Sequence, residues 1–189
     1  IQSTPLQLCM MTAQIANGGY AIKPKIIVDS NPISYEDAKQ SMESGLLFDS
    51  NSDSLLDKKL FKNKKNIKIV QEAMFASTNE RFGTSYKSRI DDPKYQFAGK
   101  TGTAQVKKIS KRERELDLEL EQIPYKDRDH ALYVAYGPYI NPRYALSIII
   151  EHGGSGSKAA APIAKKLFKL IIDRHELRNK QSNFERITI

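Results

Sequence analysis

Two runs constrain what this chain can build. Ala131-Leu132-Tyr133-Val134-Ala135-Tyr136-Gly137 and Tyr144-Ala145-Leu146-Ser147-Ile148-Ile149-Ile150 are short, apolar and rich in aromatic and β-branched residues, with Pro138 to Pro142 between them. Such residues favour strands, and a connection carrying Asn141-Pro142 suits an antiparallel hairpin. A third strand-like run, Tyr95 to Val106, precedes them, and a closing helix follows in which Ile163, Leu167, Leu170 and Ile171 fall along one face. Strands and helices are segregated along the chain, so the expected class is α+β, an antiparallel sheet flanked by helices. The 189 residues, 40% of them hydrophobic, suffice for one domain with a core and not for two ordinary ones.

The third run carries the chemistry. At its centre stand Ala98-Gly99-Lys100-Thr101-Gly102-Thr103-Ala104. In an extended chain Lys100 projects to one face and Thr101 and Thr103 to the other, while Gly102 lets a ligand or another backbone approach. An ammonium, two hydroxyls and bare backbone donors on one short edge suit a carboxylate beside a carbonyl oxygen, the C-terminal end of a peptide. A phosphate-binding loop of the form G-x-x-x-x-G-K-[ST] is disfavoured by spacing: Lys94 stands where its first glycine belongs, and Gly102 where its helix begins. Lys-Thr-Gly also resembles the substrate-binding element of the penicillin-recognising serine enzymes, whose companions are S-x-x-K and S-x-N, while three residues alone equally suit a solvated lysine on an ordinary edge strand.

Further stretches fit that reading. Ser3-Thr4-Pro5-Leu6-Gln7-Leu8 running into Ala16-Asn17-Gly18-Gly19-Tyr20, then Ala98 to Gln105, then Glu151-His152-Gly153-Gly154 and Ala160-Ala161-Pro162, resemble the C-terminal half of a class B penicillin-binding protein transpeptidase domain. The Glu-His-Gly-Gly ending is more similar to the elongation enzyme, penicillin-binding protein 2, than to the division enzyme. Residues 30–65 and 107–128 lie outside the resemblance. It implies that residues 1–189 are one partial transpeptidase domain, the C-terminal part of the β-lactamase/transpeptidase-like fold, with the N-terminal strands and nucleophile helix upstream. It also implies a function: cross-linking peptidoglycan stem peptides that end in D-Ala-D-Ala, through a serine acyl-enzyme that β-lactams also form. Lys100, Thr101, Gly102 and Thr103 then bind substrate, with Lys100 and the Thr103 N–H, as oxyanion donor, in catalytic roles. No cofactor is expected. The implied partners are the cell-wall elongation machinery, and the implied location is the periplasmic face of the bacterial inner membrane, with the anchor outside this chain.

The rest of the sequence is read in order. Thr4-Pro5-Leu6-Gln7 has the form of a capping box, so a helix starts there with Leu6, Cys9, Met10 and Ala13 on its apolar face, and Asn17-Gly18-Gly19 stops it. Tyr20-Ala21-Ile22 and Lys25 to Val28 suggest a small strand pair, and Ser34 to Ser54 a polar surface excursion. Asn66 is expected to cap a second helix in which Ile67, Val70, Met74 and Ser77 share a side, and Asp91-Asp92-Pro93 turns the chain into the Lys100 strand. Between Lys107 and Asp129 acidic and basic residues balance. There Leu116, Leu120 and Ile123 suit a short helix, and Leu116, Leu118 and Leu120 equally suit a strand.

A net charge of +8 favours an acidic partner, but the basic residues form separate clusters, Lys58 to Lys65 and Lys165 to Lys169, not one stripe, which argues against nucleic acid. Cys9 is the sole cysteine, and the three histidines are far apart, so no metal site is expected.

The one S-x-x-K string, Ser155-Gly156-Ser157-Lys158, lies C-terminal to Lys-Thr-Gly, whereas the family places its nucleophile upstream. It reads as a glycine-serine connection into the last helix. The chain is therefore expected to be a fragment that carries the binding edge but no nucleophile, inactive alone and open to self-association along the Tyr144 to Ile150 edge. The rival reading is a non-catalytic binding or complementing module.

Overall fold

A computed structural model of the chain, describing residues 2–24, 59–107 and 118–187, has one three-stranded antiparallel sheet and three principal helices. Helix α1 spans Pro5–Ala16 and α2 spans Lys64–Asn79. Strands β1 (Ala98–Ala104), β2 (His130–Gly137) and β3 (Tyr144–Ile150) lie in the order β1-β2-β3, and α3 (Ala161–Ile187) follows a π-helical turn at Gly156–Ala160. The α+β class and the hairpin are as the sequence predicts. Register pairs Lys100 with Val134, Thr101 with Tyr133 and Thr103 with Ala131, and Tyr133 in turn with Ile148.

The sheet is covered on both faces. On one, α3 lays Ala161, Ala164, Phe168 and Ile172 over Phe97, Ala131, Tyr133 and Ala135, and Phe97 stacks on Phe168 at 4.8 Å. On the other, Met74 of α2 meets Ala98 and Tyr136, with Ile15 and Ala16 of α1 packed alongside. Cys9 sits there too, its Sγ donating to Ala145 O at 3.4 Å, and burial raises its thiol above the ordinary range.

Several expected helix faces rotate. In α3 the buried positions are Ala161, Ala164, Phe168 and Ile172, while Leu170 is 66% exposed, because small alanines let α3 approach the sheet and one phenylalanine fills the gap. In α1 Leu6 is exposed and Thr12 buried, its hydroxyl satisfied by donating to Leu8 O at 2.7 Å. In α2 Ile67 and Met74 are buried as expected, but Val70 is exposed and Thr78 is buried instead.

Caps follow local chemistry. The capping box at Thr4 and Gln7 forms with both bonds, and Asn17 Oδ1 accepts from Gly19 N and Tyr20 N where α1 stops. The cap of α2 is Asn63, accepting from Lys65 N at 2.9 Å, three residues before the expected Asn66. Tyr20 makes an isolated bridge to Lys59, while Lys25 to Val28 and Ser34 to Ser54 lie outside the described residues. Asp92 caps a 3-10 turn at Pro93–Tyr95 that leads into β1. Of the charged segment, Lys108 to Asp117 also lies outside. Leu120–Gln122 and Tyr125–Asp127 form single 3-10 turns, while Leu116, on which the expected short helix or strand begins, lies outside the described residues.

Candidate functional site

The site is built on β1, which among the described residues has a strand neighbour only on its β2 side. At the start of that strand the last turn of α2 is anchored by Asn79 Nδ2, which donates to Phe97 O at 3.0 Å. Gly99 is buried beneath it. A Cβ there would fall 2.3 Å from Tyr133 Oη, so the β1 backbone lies directly on the Tyr133 phenol. That phenol is itself pinned: Oη shares hydrogen bonds with Thr78 Oγ1 at 2.9 Å and Ser85 Oγ at 3.0 Å, and burial raises its pKa. A rigid floor therefore sits under the first part of the strand.

Past Gly99 the strand opens to solvent. Lys100 is exposed, and its Nζ curls back to donate to Thr101 O at 2.9 Å and to Thr101 Oγ1 at 3.4 Å. Thr101 is half-buried and shares a second hydrogen bond, 3.2 Å, with Thr84 Oγ1. Gly102 lies under Gly156: a Cβ on Gly156 would fall 2.3 Å from Leu132 O and 2.7 Å from Gly102 O, so the π-helical turn rests on the β1 and β2 backbones. Thr103 is exposed at the mouth of a cavity of about 610 Å³.

That cavity was not visible in the sequence. Its walls are Leu120, Ile123 and Pro124 from the two 3-10 turns, Gly153 and Gly154 after β3, and Ser155 and Lys158 of the π-helical turn. The roof is held by Lys107 Nζ on Asp127 Oδ2 at 3.2 Å, and by Asp129, whose Oδ1 accepts from Val106 N while its carbonyl accepts from Gly154 N. Of the four residues singled out by sequence, Lys100 and Thr101 are joined by hydrogen bonds and Gly102 lies beside them under the turn. Thr103 faces the cavity. Thr84, Ser85 and Tyr133 are the supporting residues that sequence reasoning missed.

Ser155 and Lys158 of the S-x-x-K string line the same cavity. Ser155 Oγ shares a hydrogen bond with Ser157 Oγ at 3.0 Å, and Lys158 N donates to Ser155 O. Among the described residues no group of three or more metal-ligating side chains is drawn together, and no helix is long and apolar enough to cross a membrane.

The chain thus places a lysine and two threonines on the edge strand of an antiparallel sheet backed by a packed C-terminal helix. A family model described as penicillin binding protein transpeptidase domain matches residues 1–169, and the chain belongs to that family. Within it, the similarity runs to penicillin-binding protein 2. The peptidoglycan D,D-transpeptidase MrdA of Salmonella typhimurium (strain SL1344) is 37% identical over 105 residues, which is 56% of this chain and 16% of that protein. MrdA of Acinetobacter baumannii is 29% identical over 164 residues, 85% of this chain and 22% of that protein. Among solved structures, the Helicobacter pylori complex between penicillin-binding protein PBP2 and MreC superposes with a TM-score of 0.63 at 28% identity, covering 90% of this chain and 25% of that one. Pseudomonas aeruginosa PBP2 in complex with WCK 5153 gives 0.61 at 29% identity, over 89% of this chain and 30% of that one. The chain thus spans under a third of the length of the relatives it matches.

Proposed function

We propose that this chain is the C-terminal half of the transpeptidase domain of a peptidoglycan D,D-transpeptidase of the penicillin-binding protein 2 type. Its β1 edge holds the carboxylate end of a stem peptide or of a β-lactam. Lys100 Nζ and the Thr101 and Thr103 hydroxyls are the groups that neutralise and orient that carboxylate, and the Thr103 N–H is one donor to the oxyanion. In the reaction a serine Oγ attacks the penultimate D-Ala carbonyl, an ester forms, and the terminal D-Ala leaves with a proton. The amine of a second stem peptide then attacks the ester, forming the cross-link and returning the proton to the serine. Preorganised donors at the oxyanion are typically worth ~10² to 10³ in rate each, and a serine nucleophile ~10⁶, so a binding edge without its serine is an inactive half-site. The nucleophile in this reading is not Ser155, whose hydroxyl is bonded to Ser157.

The observation that carries the reading is the exposed Lys100-Thr101-Gly102-Thr103 edge of β1, with Lys100 and Thr101 already tied together and Thr103 facing a cavity large enough for a peptide side chain. The protein would then work at the periplasmic face of the bacterial inner membrane with the cell-wall elongation machinery. The H. pylori relative was solved with MreC.

Intact mass after incubation with a penicillin tests this. The full-length protein is expected to gain one drug mass and to lose it on Lys100→Ala, while residues 1–189 alone stay unmodified. An adduct on residues 1–189 that disappears with Ser155→Ala would overturn the assignment. Failure of the full-length protein to react would favour a non-catalytic binding module.

A further inference from the structure

The hydroxyl of Thr84 belongs to neither the core nor the surface in any ordinary sense. It lies in an exposed turn, yet its Oγ1 shares hydrogen bonds of 3.2 Å with Thr101 Oγ1 on one side and 3.2 Å with Ser77 Oγ on the other. The turn that carries it is held firmly. A Cβ on Gly83 would fall 2.3 Å from Ser77 O, so this segment packs bare backbone against the end of α2. Ser85 N and Oγ both donate to Ser77 O at 3.0 Å, and Ser85 Oγ is tied in turn to Tyr133 Oη. Thr84 is thus clamped by its neighbours at the place where it meets Thr101.

The proton count allows this contact a direction that serves a ligand. A hydroxyl has one proton and two lone pairs. The Lys100 ammonium can only donate, and it points one N–H at Thr101 Oγ1. If Thr84 also donates to that oxygen, both lone pairs of Thr101 are used and its single proton is left for an anion on the open side. Ser77 can supply the proton that Thr84 accepts, and in that arrangement Ser77, Thr84 and Thr101 form a chain of donors in which each bond polarises the next.

We propose that Thr84 is a positioning residue for the Lys100 and Thr101 site: it holds the Thr101 hydroxyl as an acceptor, so that the Thr101 proton is directed at the carboxylate of the bound peptide or β-lactam. This rests on the proposed role of the β1 edge. Thr84 touches no substrate and acts through Thr101 alone.

The test uses the full-length protein and the kinetics of acylation by a fluorescent penicillin, resolved into a binding constant and an acylation step. Thr84→Val keeps the shape and removes the hydroxyl; the second-order constant should fall by about 3- to 10-fold, the equivalent of one net hydrogen bond, through weaker binding and not slower acylation. Thr84→Ser should restore it to within about 2-fold, since the donor is retained. Ser77→Ala, one step further along the chain, should show a smaller loss of the same kind, and it serves where Thr84→Val lowers the melting temperature. In a Thr101→Val background Thr84→Val should cost nothing more, because its only route to the ligand is gone. Wild-type rates in both Thr84→Val and Ser77→Ala, equal damage from Thr84→Ser, or an undiminished effect in the Thr101→Val background would each overturn the inference. Failure of the underlying reading looks different: the unmutated protein is not labelled, or Lys100→Ala is labelled normally.

Discussion

Gly99→Ala is the substitution for which the structure makes the sharpest demand. The added methyl would stand 2.3 Å from Tyr133 Oη, 2.5 Å from Cζ and 2.8 Å from Cε1, where ordinary contacts begin near 3.4 Å. A flexible neighbour would turn aside. Tyr133 has no exposed surface, and its hydroxyl is fixed by Thr78 and Ser85. The strand must therefore move by about 1 Å or the phenol must leave its bonds, and overpacking of this kind costs about 1–3 kcal/mol. At about 2–4 °C per kcal/mol for a domain of this size, the transpeptidase transition should melt about 2–12 °C lower. Penicillin acylation should fall as well, since Lys100 is the next residue along the displaced strand. Tyr133→Phe should not rescue Gly99→Ala, because the ring carbons at 2.5 and 2.8 Å remain. Tyr133→Leu should relieve it in part, with a coupling of at least about 1 kcal/mol in the double-mutant cycle. A Gly99→Ala protein that melts with wild type, or strictly additive losses with Tyr133→Leu, would refute the reasoning.

Phe168→Ala should destabilise by about 3–5 kcal/mol in urea unfolding while Leu170→Ala changes stability by less than about 0.5 kcal/mol, because only Phe168 is buried against the sheet. Equal losses would place the apolar face of α3 where the leucines suggest. Burial raises the pKa values of Tyr133, Tyr136, Tyr139 and Tyr144 above the ordinary value near 10, so the folded state holds these protons more tightly than the unfolded chain does. That stabilisation is complete below about pH 10 and is lost as pH rises through the folded values; urea midpoints should be flat in this respect up to about pH 9 and fall beyond about pH 10. No fall there would mean the phenols are solvated. Among the described residues β3 has a strand neighbour only on its β2 side, and residues 1–189 prepared alone should self-associate in sedimentation through that edge. A dispersed monomer at high concentration would contradict this.

How much of this was legible depends on the range of the interaction concerned. The hairpin follows from two runs of β-branched and aromatic residues a few positions apart, and the cap of α1 from four adjacent residues whose bonds close locally. Helix faces were harder. Periodicity favours the largest side chains, so it selected Leu170 over Ala164. Yet which face is buried depends on what the facing surface can accept, and a sheet carrying Tyr133 and Phe97 accepts alanines beside one phenylalanine. The same argument explains Thr78. A buried hydroxyl looks like an error in an apolar stripe until the Tyr133 phenol is placed opposite it.

The site divides along the same line. Lys100, Thr101 and Thr103 lie within one run of four residues, and their alternation on a strand needs nothing beyond the pleat. What fixes them in place comes from three other places in the chain. Gly99 is small because Tyr133, thirty-four residues on in sequence, needs its space, and Tyr133 is held by α2 and by the turn after it. That turn also brings Thr84 to Thr101. No local pattern marks Thr84 or Ser85, since a polar residue after a helix is what any exposed connection contains. In the proposed arrangement their significance lies in direction: the bonds that seat the strand on its floor would also orient a proton at its edge. A variant that loosens the floor should therefore weaken binding even where no residue of the edge itself is changed, and Tyr133→Phe is the cleanest case. It keeps the ring under Gly99 and removes only the hydroxyl that fixes Ser85, so any loss in penicillin affinity beyond its effect on stability measures how far the orientation of Thr101 depends on the buried chain behind it.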